Sequence, residues 1–136
     1  AQLACPHKRV ILFAGDGGFK MTGAELFTAV NQELPVISIV LDNSCLGMVR
    51  QLQHAFYPRR YSQCAIPSID FVTFARAFGI DGVSVDSEDG FKQAFDHAIS
   101  QNKPYLIAVK IDTNDLVTPM IAPGASLDEY VKLEAD

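Results

Sequence analysis

The chain has 136 residues, 49% of them apolar and 20% charged, with a formal net charge of −5. That length gives room for one domain with a sizeable core, and the composition excludes a disordered chain. An acidic balance without a stripe of basic residues excludes a nucleic-acid footprint, and no apolar run approaches the ~20 residues of a membrane span.

At the amino terminus there is neither an initiator Met nor a signal-peptide pattern. Residues 1–4 read as the last turn of a helix stopped before Pro6, since the residue preceding proline avoids helical geometry. One turn does not form alone, so the chain reads as a piece of a longer protein. Cys5, Cys45 and Cys64 have neither CxxC nor zinc spacing. They are expected as buried or half-buried free thiols in a reducing, cytoplasmic setting. His7, His54 and His97 are too dispersed to suggest a metal cluster.

The apolar run 10–14 predicts a strand covered on both faces, broken at Gly15, Asp16, Gly17 and Gly18. A tight hairpin is the ordinary reading of Asp-Gly, but a helical pattern follows here. Thr22 to Glu25 match a capping box, with Met21 and Leu26 in the staple positions. The helix then presents Phe27, Val30 and Leu34 to the sheet and stops before Pro35. A second buried strand, 36–41, breaks at Asp42 and Asn43. A crossover helix between parallel strands puts both breaks at one carboxyl edge, where ligands bind in open α/β sheets. Asp16 offers a carboxylate, Asn43 an amide oxygen, and the following turn a main-chain carbonyl. Oxygen donors of that kind suit Mg²⁺, and the glycines let an anion approach the backbone. Met21, just past the Gly-rich turn, is a candidate wall of the site.

Residues 46–54 predict a short helix and 55–67 a loop carrying Arg59, Arg60, Tyr57 and Tyr61, with Arg50 before it. Such a loop reads either as solvated surface or as a lid. A helix over 69–78 (Phe71, Phe74, Ala75, Phe78) ends at Gly79, and a strand covers 80–85. A helix over 87–101 carries Phe91, Ala94, Phe95 and Ala98 on one face, before a third long strand at 105–111. Residues 112–124 look irregular, and Ser126 to Glu129 read as the cap of a last short helix. The alternation predicts an α/β fold, a doubly wound and mostly parallel sheet flanked by helices.

Gly15-Asp16-Gly17, 24 further residues, then Asp42-Asn43 resembles the GDG…NN cofactor motif of thiamine-diphosphate-dependent enzymes. With Leu46 to Gln51 and Thr118 to Ala125, the whole chain resembles the carboxyl-terminal domain of acetolactate synthase (acetohydroxyacid synthase). The resemblance implies a thiamine-diphosphate-binding fold over 1–136, a single domain of a longer enzyme in branched-chain amino acid biosynthesis. It implies that Asp16, Asn43 and the main-chain oxygen of Cys45 hold Mg²⁺ on the cofactor's diphosphate, with Gly15, Gly17 and Gly18 around it. Leu46, Gly47 and Met48 then line the thiazolium side, Met48 and Leu52 face the 2-oxo acid substrate, and residues 44–67 form a lid. It also implies pyruvate as substrate, a homodimer or homotetramer with a possible regulatory subunit, and FAD as a possible cofactor on another domain. No catalytic residue lies in this piece, because the family's ylid-forming glutamate belongs to another domain of a partner subunit.

Two residues depart from the family pattern: Asp42 replaces the first Asn of the pair, and Leu52 replaces a Trp that typically faces the acceptor. Another thiamine-diphosphate-dependent 2-oxo acid decarboxylase or carboligase is the alternative within the class. Outside it stand a non-enzymatic flavodoxin-like module and a nicotinamide-binding domain. A phosphoacceptor receiver needs an acidic pair at the end of the first strand and a Lys at the end of the last, where the sequence reading places Asp112. The glycines lack the G-x-G-x-x-G spacing of a nicotinamide site.

Overall fold

Strand β1 (Ile11–Gly15) lies parallel to β2 (Ile37–Asp42) in the computed structural model, which describes residues 1–57 and 60–131. Strand β2 pairs in turn with β4 (Tyr105–Lys110), and β4 with β3 (Asp81–Val85), all parallel. The sheet order is therefore β1-β2-β4-β3. The registers Gly15 to Leu41 and Asp42 to Lys110 bring the ends of β1, β2 and β4 to one edge, as the crossover argument requires.

Side-chain alternation along β2 and β4 sorts two cores. On one face Val40, Leu106 and Ala108 meet Phe19 of α1 (Asp16–Thr22), Leu26 of α2 (Leu26–Asn31), and Phe71, Val72 and Ala75 of α4 (Phe71–Arg76). On the other, Ile37, Ile39 and Ile107 meet Ala94 and Ala98 of α5 (Glu88–Ser100), with Phe91 and Phe95 packed beside them. Helices on both faces make the sheet doubly wound. Asp70 and Ser87 cap α4 and α5 by accepting from the amides of Thr73 and Gly90, and α4 stops at Gly79, whose φ of +80° suits only glycine well.

Five expectations are corrected. Strand β1 is not covered on both faces: Ile11, Leu12 and Phe13 are exposed, Phe13 by 63%. The cause is its place at the sheet edge, while α5 sits over β2, β3 and β4. The first helix begins at Asp16 with Gly15 as its N-cap, so Thr22 ends α1 and makes no cap hydrogen bond. A 3₁₀ turn (Gly23–Glu25) then separates α1 from α2, and burial of Phe19 and Leu26 outweighs the local capping pattern. Phe27 is exposed rather than turned to the sheet. After Ser126 the chain makes a turn, in which the Glu129 carboxylate accepts from the Ser126 N–H. It then forms β6 (Tyr130–Val131), antiparallel to β5 (Met120–Ile121), where a helix was expected. Cys45 and Cys64 are buried free thiols, but Cys5 is exposed rather than buried or half-buried, because it lies in the turns ahead of β1 and outside both cores. Arg59 and residues 132–136 lie outside the described residues.

Candidate functional site

The end of β1 turns directly into α1, which places Asp16 in the first helical turn, buried at 2% exposure. Its Oδ1 accepts the Gly17 N–H at 2.9 Å, while Oδ2 is buried without a hydrogen-bond donor. The Lys20 ammonium lies 3.9 Å from Oδ2, beyond hydrogen-bonding distance. Burial raises the Asp16 carboxyl above its ordinary range, and the neighbouring Asp42 adds to this, against the opposing pull of the Gly17 amide and Lys20. A side chain on Gly17 would meet Leu46 Cδ2 at 2.7 Å and Ile66 Cδ1 at 3.4 Å. Gly17 is thus where the first break and the second come into contact.

At the second break Ser44 takes a left-handed φ of +56°. Asn43 Oδ1 accepts the Cys45 N–H at 3.1 Å, and the Asn43 carbonyl accepts the Thr113 hydroxyl at 2.7 Å. The turn is held against the 60s segment by Leu46 N–H to the Cys64 carbonyl at 2.7 Å and Ile66 N–H to the Ser44 carbonyl at 2.9 Å. Burial, with the Cys64 thiol beside it, pushes the Cys45 thiol up to about 11, so it stays protonated at neutral pH.

Asp42 does not leave a bare charge at this edge. It is 1% exposed, and its Oδ2 accepts from the Lys110 ammonium and, at 2.7 Å, from the Ser68 hydroxyl. Its Oδ1 accepts the Ser44 N–H at 3.2 Å. Burial alone would raise this carboxyl, but Lys110, Ser68 and Ser44 together hold it below its ordinary range. The pairing follows from period-2 geometry, since the register sets Asp42 beside Lys110 on neighbouring parallel strands.

Helix α3 (Gly47–Phe56) follows, and Met48, Val49, Leu52 and Phe56 are exposed along it, with Leu52 at 37%. Leu46, just before it, packs on Gly17, whereas Met21 stands in the last turn of α1 and is largely exposed. Across the 50s and 60s, the Arg50 guanidinium lies 4.3 Å from the centre of the Tyr61 ring, and the Tyr61 hydroxyl is 2.8 Å from His54 Nδ1. Gln53 exchanges two hydrogen bonds of 2.9 Å with the Ser62 backbone. Within the segment expected as a lid, Tyr61 and Ser62 are therefore folded back onto α3.

Gly15, Asp16, Gly17, Gly18, Asn43, Cys45, Leu46 and Gly47 all come from the two breaks, while Met48 and Leu52 extend from them along α3. Sequence reasoning missed Lys110, Ser68, Thr113 and Gln51. Lys110 was detectable as the third member of the alternation Leu106, Ala108, Lys110, the face shared with Asp42. Because β4 ends on Lys110 rather than Asp112, the absence of a terminal lysine no longer excludes a receiver. A buried carboxylate oxygen without a donor, beside a turn rich in oxygen acceptors, fits a hard divalent cation.

Residues 1–109 match the family described as thiamine pyrophosphate enzyme, C-terminal TPP binding domain. The acetolactate synthase isozyme 2 large subunit of Escherichia coli is 40% identical over 97% of this chain and 24% of its own length. The mitochondrial acetolactate synthase catalytic subunit of Saccharomyces cerevisiae is 36% identical over the whole chain and 20% of its own length. The thiamine diphosphate-dependent 4-hydroxybenzoylformate decarboxylase of Rhodococcus jostii superposes with a TM-score of 0.77 at 32% identity, over 82% of this chain and 21% of that one. The chain thus spans a fifth to a quarter of these proteins, and the match disposes of the receiver and nicotinamide alternatives. With its parallel sheet and both sequence breaks at one edge, it belongs to the family of C-terminal thiamine pyrophosphate-binding domains.

Proposed function

We propose that the chain is the diphosphate- and Mg²⁺-binding domain of a carboligase of the acetolactate synthase type. The observation that carries this is Asp16 Oδ2, buried and without a donor beside the Asn43 turn. In this reading Asp16, the Asn43 side chain and the Cys45 carbonyl hold Mg²⁺. The Gly17 N–H is already committed to Asp16 Oδ1, which leaves the Gly18 backbone to meet the diphosphate. Leu46, Gly47 and Met48 line the thiazolium side and exclude water, and the exposed face carrying Met48 and Leu52 meets the substrate. When bound, thiamine diphosphate supplies the nucleophilic carbon and the electron sink for decarboxylating a 2-oxo acid.

The substrates in this reading are pyruvate and a second 2-oxo acid. The complete enzyme is a cytoplasmic homodimer or homotetramer, with a regulatory subunit and FAD as further elements. A second reading, a thiamine-diphosphate-dependent 2-oxo acid decarboxylase, is favoured by the structural likeness to the Rhodococcus enzyme and by Leu52 in place of the synthases' Trp. Replacing Asp16 or Asn43 by Ala in the longer protein is expected to abolish Mg²⁺-dependent retention of thiamine diphosphate in equilibrium dialysis. Unchanged retention in either variant would remove the assignment, and product analysis with pyruvate separates the two readings.

A further inference from the structure

Segment 112–121 crosses α3 with most of its residues exposed, so burial alone does little to hold it. Three side-chain contacts fix it instead, one of them in between: the Arg50 guanidinium of α3 donates to Asn114 Oδ1 at 2.7 Å. At one end the Thr113 hydroxyl donates to the Asn43 carbonyl at 2.7 Å. At the other the Gln51 carboxamide, 3% exposed, pairs with both backbone groups of Val117. The Val117 N–H donates to Gln51 Oε1 and Gln51 Nε2 donates to the Val117 carbonyl, each at 2.8 Å. Nε2 also lies 3.3 Å from Met120 Sδ. A carboxamide used this way imitates a neighbouring β-strand, offering one donor and one acceptor to a single residue. Gln53 makes the same kind of pair with Ser62 from another side of the helix, since residues two apart on a helix point about 200° from each other. Helix α3 is thus gripped on two sides, and Met48, Val49 and Leu52 remain exposed between the grips.

We propose that Gln51 is a positioning residue. Through Val117 it holds segment 112–121 as a strap that fixes α3 and, by way of Thr113, the Asn43 turn. The inference rests on the diphosphate-site reading for its functional meaning, but the mechanical coupling can be tested without any ligand. Releasing the strap lets the turn and the first turn of α3 move together, and the oxygen donors at Asn43 and Cys45 lose their fixed relation to Asp16.

The test is amide hydrogen exchange, resolved by NMR, on the chain and its Gln51→Glu, Gln51→Met and Thr113→Val variants, with Mn²⁺ and thiamine diphosphate titrated into the wild type and the same variants of the longer protein. Gln51→Glu keeps the acceptor for the Val117 N–H and loses the donor, whereas Gln51→Met loses both. Exchange of the Val117 amide is expected to rise in the order wild type, Glu, Met, by about tenfold or more at the last. The amides of Cys45, Leu46 and Arg50 are expected to follow in all three variants, including Thr113→Val, whose altered side chain is exposed and does not threaten folding. Faster exchange at Val117 with unchanged exchange at Cys45, Leu46 and Arg50 would overturn the proposal, as would an unaffected turn in Thr113→Val. If the wild type binds no Mn²⁺ with thiamine diphosphate, the functional reading fails while the exchange data still decide the coupling. If it binds, about tenfold weaker binding in Gln51→Met and Thr113→Val is expected.

Discussion

Asp16 is raised above the ordinary carboxylate range because its Oδ2 has left water without gaining a donor. A carboxyl raised in this way binds more protons folded than unfolded. The metal-free chain therefore loses stability as pH climbs from the ordinary 3.8 through the raised value. Asp16→Asn removes the charge and leaves a carboxamide that can still accept from Gly17 and can donate toward Asp42. The variant is expected to gain about 1–3 kcal/mol near neutrality, the usual cost of an unsatisfied buried polar group, and to show a flatter pH profile below neutrality. It is also expected to lose the thermal shift that Mg²⁺ with thiamine diphosphate gives the wild type. Melts with and without both additives check this, and a metal-free variant melting below the wild type would contradict it. Asp42 has the opposite sign: its partners depress the carboxyl, so its contribution is present above pH 3.8 and is lost as pH falls through the depressed value. The charge that the family motif lacks at this position is answered inside the fold by Lys110 and Ser68.

At the scale of elements, α4, α5, β2 and β4 were legible because each has a single period and an explicit terminator. Ser87 stands just before the apolar positions of α5 and Gly79 follows α4, whose start was read at 69, ahead of Phe71, because Asp70 was not recognised as its cap. Asp70→Ala is expected to lower the urea midpoint through loss of the α4 cap. A urea midpoint within error of wild type would show that α4 is held by packing alone. The helix after Asp16 was misread because Thr22 and Glu25 carry a valid local signal that tertiary packing overrides. Only the buried positions of Phe19 and Leu26 reveal where α1 and α2 divide. The candidate site was legible at its two breaks, where unusual residues sit at strand ends. Its supports were not, because Gln51 with Val117 and Asp42 with Lys110 join positions 66 and 68 residues apart. No local pattern carries information over such a separation.

Across the whole molecule the asymmetry lies in the sheet. Strands β2 and β4 are inner strands, but β1 pairs on one side only and exposes Ile11, Leu12 and Phe13. Edges of this kind recruit other strands, and an apolar cavity of about 320 Å³, lined in part by Leu12, Phe19, Leu26 and Ile80, opens beside it. Phe13→Lys is expected to leave the melting temperature nearly unchanged, since the ring is largely in solvent, and to suppress concentration-dependent association. Sedimentation velocity over a dilution series measures this. Association as strong in the variant as in the wild type would mean that β1 is not the sticky edge.

Leu52, on the exposed side of α3, also has an optical consequence. The chain contains no tryptophan, so its ultraviolet emission comes from tyrosine and, weakly, phenylalanine. A Leu52→Trp substitution would put a single indole on the face proposed to meet substrate. In the complete enzyme it is expected to shift preference toward 2-oxobutyrate over pyruvate by about 1–3 kcal/mol, read from product ratios in competition. Even in this isolated chain the indole's emission maximum would register whether that face is wet or covered. A shift to shorter wavelength on adding thiamine diphosphate and Mg²⁺ would turn a substitution designed for selectivity into a gauge of when the site excludes water.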